Sequence, residues 1–438
     1  MWINQIISLV AAFCFAGIAN AQQTIDGSWD ATVTFSEGAA AGVMLLELDG
    51  SMISGTSEPL DEDQFLPLSI SGNLDGERTS LSFSYREEFV GDIAAVYEND
   101  QITGSGTLYG VSVTLDAKRS DRPVRAPKMH EFDPTTYELQ FESRTEPVLT
   151  LVPGDTVKTS LLDNEGQDAS LEWRAMPGNP LTGPFFVEGA MPGDTLVVHL
   201  KSVRLNRDTA KMYSRRLNQA AIQPGHNQEP PEDWGRIWHL DRDTQTATID
   251  APGSAIENLT LPLKPMIGSI GVAPPLNTAL YAGDLWVHGG NIDYRRMTEG
   301  MTLYLPVYRA GAYLFMGDGH ALQGDGEISG QGLETSLDVE FEIDLIEGEN
   351  LRYIWSEDAD FIMVHGIDRT LDSALQAATT GMSSWLKSNY DLSDSEIAAL
   401  LSPTIRYDVA VIVNSRPHVV ARLSKQVLDS VKPQTTND

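Results

Sequence analysis

The sequence predicts a mostly-β protein: several packed β-subdomains of sandwich or barrel type with a short C-terminal helical segment, preceded by a separate small antiparallel β-domain. Three observations point there. Short apolar runs, several of them alternating with polar residues as half-buried strands require, recur from residue 25 to residue 413. Gly, Asn and Asp doublets separate the early runs at hairpin spacing. A helical repeat of apolar residues emerges only beyond residue 368.

At the N-terminus, residues 6–18 form an apolar run of signal-peptide length, and Ala19-Asn20-Ala21 before Gln22 fits a small-residue cleavage site. Residues 1–21 are therefore expected to be a signal peptide and the protein to be periplasmic or secreted. The run is too short to span a bilayer comfortably, so no membrane insertion is expected once it is removed. The only cysteine, Cys14, lies inside it. The mature chain then has no disulfide, thiolate ligand or cysteine nucleophile, and any metal must be held by His, Asp, Glu, backbone and water. That donor set suits zinc, calcium or manganese better than a soft metal.

Asp and Glu number 62 against 30 Lys and Arg, a formal charge of -32 over 438 residues. Such a surface repels phosphate backbones and anionic lipid heads, so no nucleic-acid partner is expected. The length allows two or three domains, each with its own core.

Residues 22–121 read as the small antiparallel β-domain. Its runs at 27–33, 43–48, 102–107 and 111–115 are punctuated by Asp49-Gly50, Asp75-Gly76 and Asn99-Asp100. A binding or docking role and a plain structural one are both open for it. The Pro-rich, basic stretch 119–128 reads as an extended linker, with a boundary near Asp121. Residues 122–438 form the second domain. In it Pro-Gly-Asp-Thr occurs at 153–156 and again at 192–195, each time just before an apolar strand. The polar stretch 206–243, with His226, Trp234, Trp238 and His239, reads as a loop packed on the body.

The chemistry-bearing residues gather further on. His288-Gly289-Gly290-Asn291-Ile292-Asp293 puts two glycines between a histidine and an Asn/Asp pair, as a turn approaching a ligand would. Two apolar runs within 302–315 lead to the loop 317–327, GDGHALQGDGE, with Asp318, His320, Asp325 and Glu327 among four glycines. Residues 336–345 alternate apolar and acidic, a strand whose acids face water. Leu371, Leu375, Ala378, Met382, Trp385 and Leu386 predict a helix capped by Asp368. Ser393 and Glu396 predict the capping box of a second helix, which Pro403 should stop. A final buried strand is expected over 407–413.

Taken together and in order, NPLTGPFFVEGAMPGDTL (179–196), PMIGSIGVAP (265–274), HGGNID (288–293) and LYLPVYRAGAYLFMGDGHALQGDGE (303–327) resemble the acetamidase/formamidase family. The resemblance covers about residues 127–424. It implies packed β-subdomains, hydrolysis of short linear amides to a carboxylate and ammonia, and a bound divalent metal, with zinc favoured and calcium or manganese as alternatives. Its partner would be a small amide substrate, and a homo-oligomer is expected. The signal peptide and the first β-domain have no counterpart in a typical cytoplasmic member.

Amide hydrolysis needs an activated water or nucleophile, a polarised carbonyl and a proton for the departing nitrogen. Without a cysteine or a Gly-x-Ser-x-Gly elbow, metal-activated water is the route the residues suit. His320, Asp325, Asp293 and Asp163 are the candidate ligands. Glu327 is the candidate general acid/base, since partial burial raises a carboxyl pKa towards working pH. His288 is a candidate for holding the substrate or assisting catalysis, with Gly290 and Asn291 lining the substrate site. Two other classes compete: a cell-envelope protein that binds a small molecule or carbohydrate without turnover, and a calcium-stabilised structural protein.

Overall fold

The computed structural model describes residues 25, 27–36, 38–59, 68–86, 88–119, 126–214, 216–226, 228 and 236–431. The expected signal peptide, the boundary near Asp121 and Trp234 lie outside them.

The first β-domain is an up-and-down barrel of eight antiparallel strands, from Gly27–Phe35 to Val111–Arg119, closed by pairing of the first strand with the last. Alternation builds it: Trp29, Ala31, Met44, Leu46, Ile70, Leu81, Phe83, Ile93, Val113 and Leu115 point inward, while Asp30, Thr32, Thr34, Ser112, Thr114 and Asp116 face water. Closure brings strands close enough that a Cβ on Gly91 or Gly106 would collide with the backbone oxygen of Thr107 or Asp92, so glycine is needed there. One end is plugged by Trp29, which is fully buried, donates from Nε1 to the Ile25 carbonyl at 2.9 Å and meets Tyr97 edge to face.

The rest of the chain is built on two large sheets. One has six strands in the order Leu149–Leu151, Leu181–Val187, Leu314–His320, Met266–Gly271, Gly289–Asn291, Leu285–Trp286. The other has nine, among them Thr156–Leu161, Thr195–Leu205, Thr302–Pro306, Leu337–Ile346, Phe361–Ile367, Arg406–Val411 and His418–Ser424. Their inner faces share one core that includes Leu151, Phe185, Leu196, Ile267, Met316 and Phe341. The two Pro-Gly-Asp turns are built alike. Asp155 and Asp194 each accept a hydrogen bond from the backbone three residues earlier, at 3.1 Å from Val152 and 2.8 Å from Met191.

Several expectations change. Within 206–243, strands Thr209–Lys211 and Ile237–Asp241 pair with each other and continue into Thr246–Ile249 and Thr260–Pro262, so the two ends of that stretch belong to a sheet. Trp238 is buried there, and His226 and His239 are exposed. The first helix, Leu371–Tyr390, is capped by Thr370, whose side chain accepts from Ser373; Asp368 bonds the Arg369 amide instead. Its buried face is Ala374, Ala378, Gly381, Met382 and Leu386, leaving Leu371 and Leu375 exposed. Gly366 explains the choice, because its bare Cα lets the helix backbone at Ala374 and Ala378 come into contact with the strand. The second helix, Asp394–Thr404, has the expected Ser393/Glu396 box but carries Pro403 in its last turn. The strand expected over 407–413 is Arg406–Val411, and it is not the final one, since His418–Ser424 follows and pairs with it.

Behind the second sheet lies a buried histidine pair. Ser356 Oγ and His365 Nε2 are 2.8 Å apart, His365 Nδ1 and His418 Nε2 3.0 Å, and His418 Nδ1 and the Ile292 carbonyl 2.7 Å. The carbonyl can only accept, so each His Nδ1 carries the proton and both rings are neutral. Burial holds His365 well below the ordinary histidine range and His418 down to about 4. The unfolded chain protonates both near pH 6.5 while the fold resists it, so this stability is present above 6.5 and lost as pH falls towards 4. Melting temperature is expected to drop between pH 7 and 4.5. A His365→Gln/His418→Gln variant, less stable at pH 7, should lose less over the same interval.

Candidate active site

The strand Leu314–His320 is buried throughout, at the centre of the six-stranded sheet. The first half of the predicted loop is therefore strand, and period two places Asp318 and His320 on one face. Glycines 317 and 319 face the other way, where a Cβ would strike the Pro180 or Thr335 carbonyl oxygen. Asp318 sits at φ 60°, Asp293 at 38° and Glu327 at 46°. Left-handed backbone at three non-glycine residues that meet in one site marks places where conformation is imposed by the surroundings.

Five side chains converge: Asp293, Asp318, His320, Glu327 and Glu334, all buried. Ligand atoms of Asp293, Asp318 and His320 lie within 4.8 Å of one another, as do those of His320, Glu327 and Glu334. His320 is the hinge of both groups. Its Nδ1 donates to Gln323 Oε1 at 2.8 Å, and Gln323 in turn donates to the Asp293 carbonyl at 2.6 Å. That fixes the tautomer and aims Nε2 at Glu334 Oε2, 3.1 Å away, and Asp318 Oδ1, 3.4 Å away.

The carboxylates are oriented by amides. Asn414 Nδ2 donates to Asp293 Oδ2 at 2.7 Å, and Asn291 Nδ2 donates to the same oxygen. Asn179 Nδ2 holds Asp318 Oδ2 at 2.9 Å, and the Gly332 amide holds Glu334 Oε1 at 2.9 Å. The second oxygens, Asp293 Oδ1, Asp318 Oδ1 and Glu334 Oε2, are buried, and of these Asp318 Oδ1 and Glu334 Oε2 have His320 Nε2 beside them. Four buried carboxyl groups against one imidazole are costly and call for further positive charge. Without a cation the cluster meets that need with protons. Burial pushes the Glu327 carboxyl up to about 8 and Glu334 to about 7, and Asp293 well above the carboxylate range. Burial pulls His320 down, but Glu334 and Asp318 outweigh it and hold the ring well above ordinary histidine.

One imidazole nitrogen and several carboxylate oxygens are donors that zinc, manganese or calcium accept, and their ligand atoms lie within 4.8 Å of one another in two groups that share His320, so these residues fit a divalent cation. Gly268 gives them room: a Cβ there would come within 2.5 Å of Asp318 Oδ2 and 2.9 Å of Asp293 Oδ1. Gly268→Ala is expected to leave the fold intact and weaken cation affinity about 10- to 100-fold, the usual scale for disturbing residues that orient ligands. Calorimetric titration of stripped protein with zinc checks it.

Two expected ligands stand elsewhere. Asp325 is exposed and paired with Arg295, because Glu327 and not Asp325 turns inward after Gly326. Asp163 is buried, but its Oδ2 is bound by Arg207 Nη2 at 2.6 Å and its Oδ1 by the Glu165 and Gln167 amides, leaving nothing for a metal. Asn291 has its Oδ1 engaged by Ser269 and Asn179, so it positions Asp293. His288 is buried against Phe141 with both ring nitrogens unpartnered, and burial depresses it to about 3. Such a ring is neutral and a poor general base, which leaves hydrogen bonding to substrate as its fitting role. Gly290 is required by the sheet beside it, since a Cβ there would come within 2.2 Å of the Asp284 carbonyl oxygen and 3.1 Å of His288 Nε2.

Sequence reasoning missed Glu334, Asn179, Asn414 and Gln323 and undervalued Asp318. The signal for Asp318 was its two-residue offset from His320 once the segment is read as strand. Glu334 had no local signal; it arrives when the chain folds back and bridges His320.

Fold and site together define a packed β-sheet protein with a buried carboxylate and histidine centre. The sequence profile of the Acetamidase/Formamidase family matches residues 141–280 and 286–417, so the chain belongs to that family. It is 40% identical over 67 residues to a formamidase of Methylophilus methylotrophus and 42% identical over 62 residues to an acetamidase of Mycolicibacterium smegmatis. Those stretches cover 15% and 14% of this chain, and only 16% and 15% of the length of the two relatives. The crystal structure of an acetamidase from Yersinia enterocolitica superposes with a TM-score of 0.60 at 28% identity, over 69% of this chain and 94% of that one. The barrel, which ends at Arg119, precedes the family match.

Proposed function

We propose that the protein hydrolyses the C–N bond of short linear amides, using a divalent cation held by Asp293, Asp318, His320 and Glu334, with Glu327 as general acid/base. Family membership supports the reaction class. The observation that carries the site assignment is the convergence of buried ligand atoms from Asp293, Asp318, His320 and Glu334, with Glu334 Oε2 3.1 Å and Asp318 Oδ1 3.4 Å from His320 Nε2.

When bound, the cation would supply Lewis acidity towards the amide carbonyl and make a nearby water more acidic. Zinc fits best, with manganese and calcium as alternatives. Asn291, Asn414 and Asn179 hold the aspartates in their ligating orientation. Glu327, a carboxyl whose proton affinity is raised by burial, can take a proton from the attacking water and return it to the departing nitrogen. The water oxygen joins the carbonyl carbon, the C–N bond breaks, and the nitrogen leaves as ammonia after gaining one proton. The carboxylic acid product then releases its proton to solvent. Neutral His288, with both ring nitrogens unpartnered, offers a hydrogen bond that orients the amide.

Export by a cleaved signal peptide to the periplasm or medium, and assembly as a homo-oligomer, are part of the same proposal. N-terminal sequencing and light scattering of the secreted product test them. For the reaction, the metal-loaded protein is assayed for ammonia release from formamide, acetamide, propionamide and benzamide. Turnover of the short aliphatic members is expected. Absence of ammonia from every amide would leave a binding protein without turnover and overturn the proposal.

A further inference from the structure

The N-terminal barrel holds a cavity of about 260 Å³ that the amidase reading does not use. Its wall is apolar: Ala31, Val33, Met44, Leu68, Phe83 and Val113 contribute to it. The cavity is a cup. Trp29 closes the opposite end, while Tyr109 and Val111 belong to the lining yet are 61% and 45% exposed, so it opens at the tip of the last hairpin. An eight-stranded barrel is just wide enough either to fill with side chains or to hold one small ligand. Here small residues leave the second outcome, since Ala31 and Gly42 face each other across the first hairpin and both line the void.

We propose that this cup is a binding site for a single uncharged apolar molecule, such as a medium-chain alcohol or ester. An apolar cavity of about 150 Å³ already stays dry and takes up benzene. A charge of -32 on the chain disfavours a carboxylate or phosphate head at the mouth. On the first and last strands the outward side chains are Asp30, Thr32, Thr34, Ser112, Thr114 and Asp116, so the apolar face of these strands is the inner one.

The test uses the full mature protein and the neutral fluorophore N-phenyl-1-naphthylamine, with 1-decanol and decanoate as competitors. Saturable binding at one site per chain is expected, with 1-decanol displacing the probe more effectively than decanoate. Ala31→Leu and Val113→Phe fill the cup and should each weaken binding about tenfold or more, whereas Thr32→Leu on the outer wall should not. Thermal melts that keep a cooperative barrel transition separate filling from misfolding. Unsaturable binding, filled variants that bind as well as wild type, or preferential displacement by decanoate would each overturn the proposal. Co-sedimentation of wild-type and filled proteins alike with phosphatidylcholine vesicles, without one-site probe binding, would do so by assigning the exposed apolar rim to a membrane surface.

Discussion

Glu327→Gln is expected to lower kcat for short amides by about 10²- to 10⁴-fold, the range for loss of a positioned general acid/base, with KM little changed. Glutamine keeps the size of the side chain and its contact with Asp293 but cannot carry the proton. The wild-type group is suited to the task because burial, moderated by His320, brings its carboxyl up to about 8, so both protonation states are accessible near neutrality. Bound metal per chain should be unchanged in the variant, which separates loss of proton transfer from loss of the cation. Equal falls in metal content and rate would instead make Glu327 a ligand.

Arg207→Met should cost about 3–5 kcal/mol of stability, because it strands the buried Asp163 carboxylate. Arg207 is a junction as well as a partner: besides Asp163 it donates to the carbonyls of Asp168, Thr209 and Glu334, at 3.1, 3.0 and 3.2 Å. It ties the turn after Leu161 to the segment that carries Glu334, which bridges His320 just before the strand Leu337–Ile346. A urea midpoint measures the loss. An Arg207→Met/Asp163→Leu protein should recover much of it, since replacing both members of a buried pair by apolar groups is far less costly than removing one. Failure of the double variant to recover would place the effect in the carbonyl contacts.

Local patterns made much of the fold legible, and the limits were physical. Alternation and turn doublets suffice to mark the barrel strands, but closure depends on the pairing of Gly27–Phe35 with Val111–Arg119, which are distant in sequence. The first helix followed from its period, yet its buried face was set by Gly366 on a facing strand. In the site, His320 and Glu327 stood out by composition, and Asp293 by its neighbouring glycines. Asp325 stood out equally and points to water with Arg295, because the backbone turn at Gly326, and not residue type, decides which acid enters. Asp163 was expected as a metal ligand, but its charge answers Arg207. Glu334 was invisible because an ordinary acid beside a strand becomes a site residue only through a long-range bridge.

The most direct test of the central claim is ammonia release from acetamide or formamide by chelator-stripped protein, followed as zinc is added back per chain. Activity should start near zero, rise with added metal and saturate at a fixed low stoichiometry, and His320→Ala should stay flat throughout. Full activity in the stripped wild-type protein, unchanged by added metal, would contradict it.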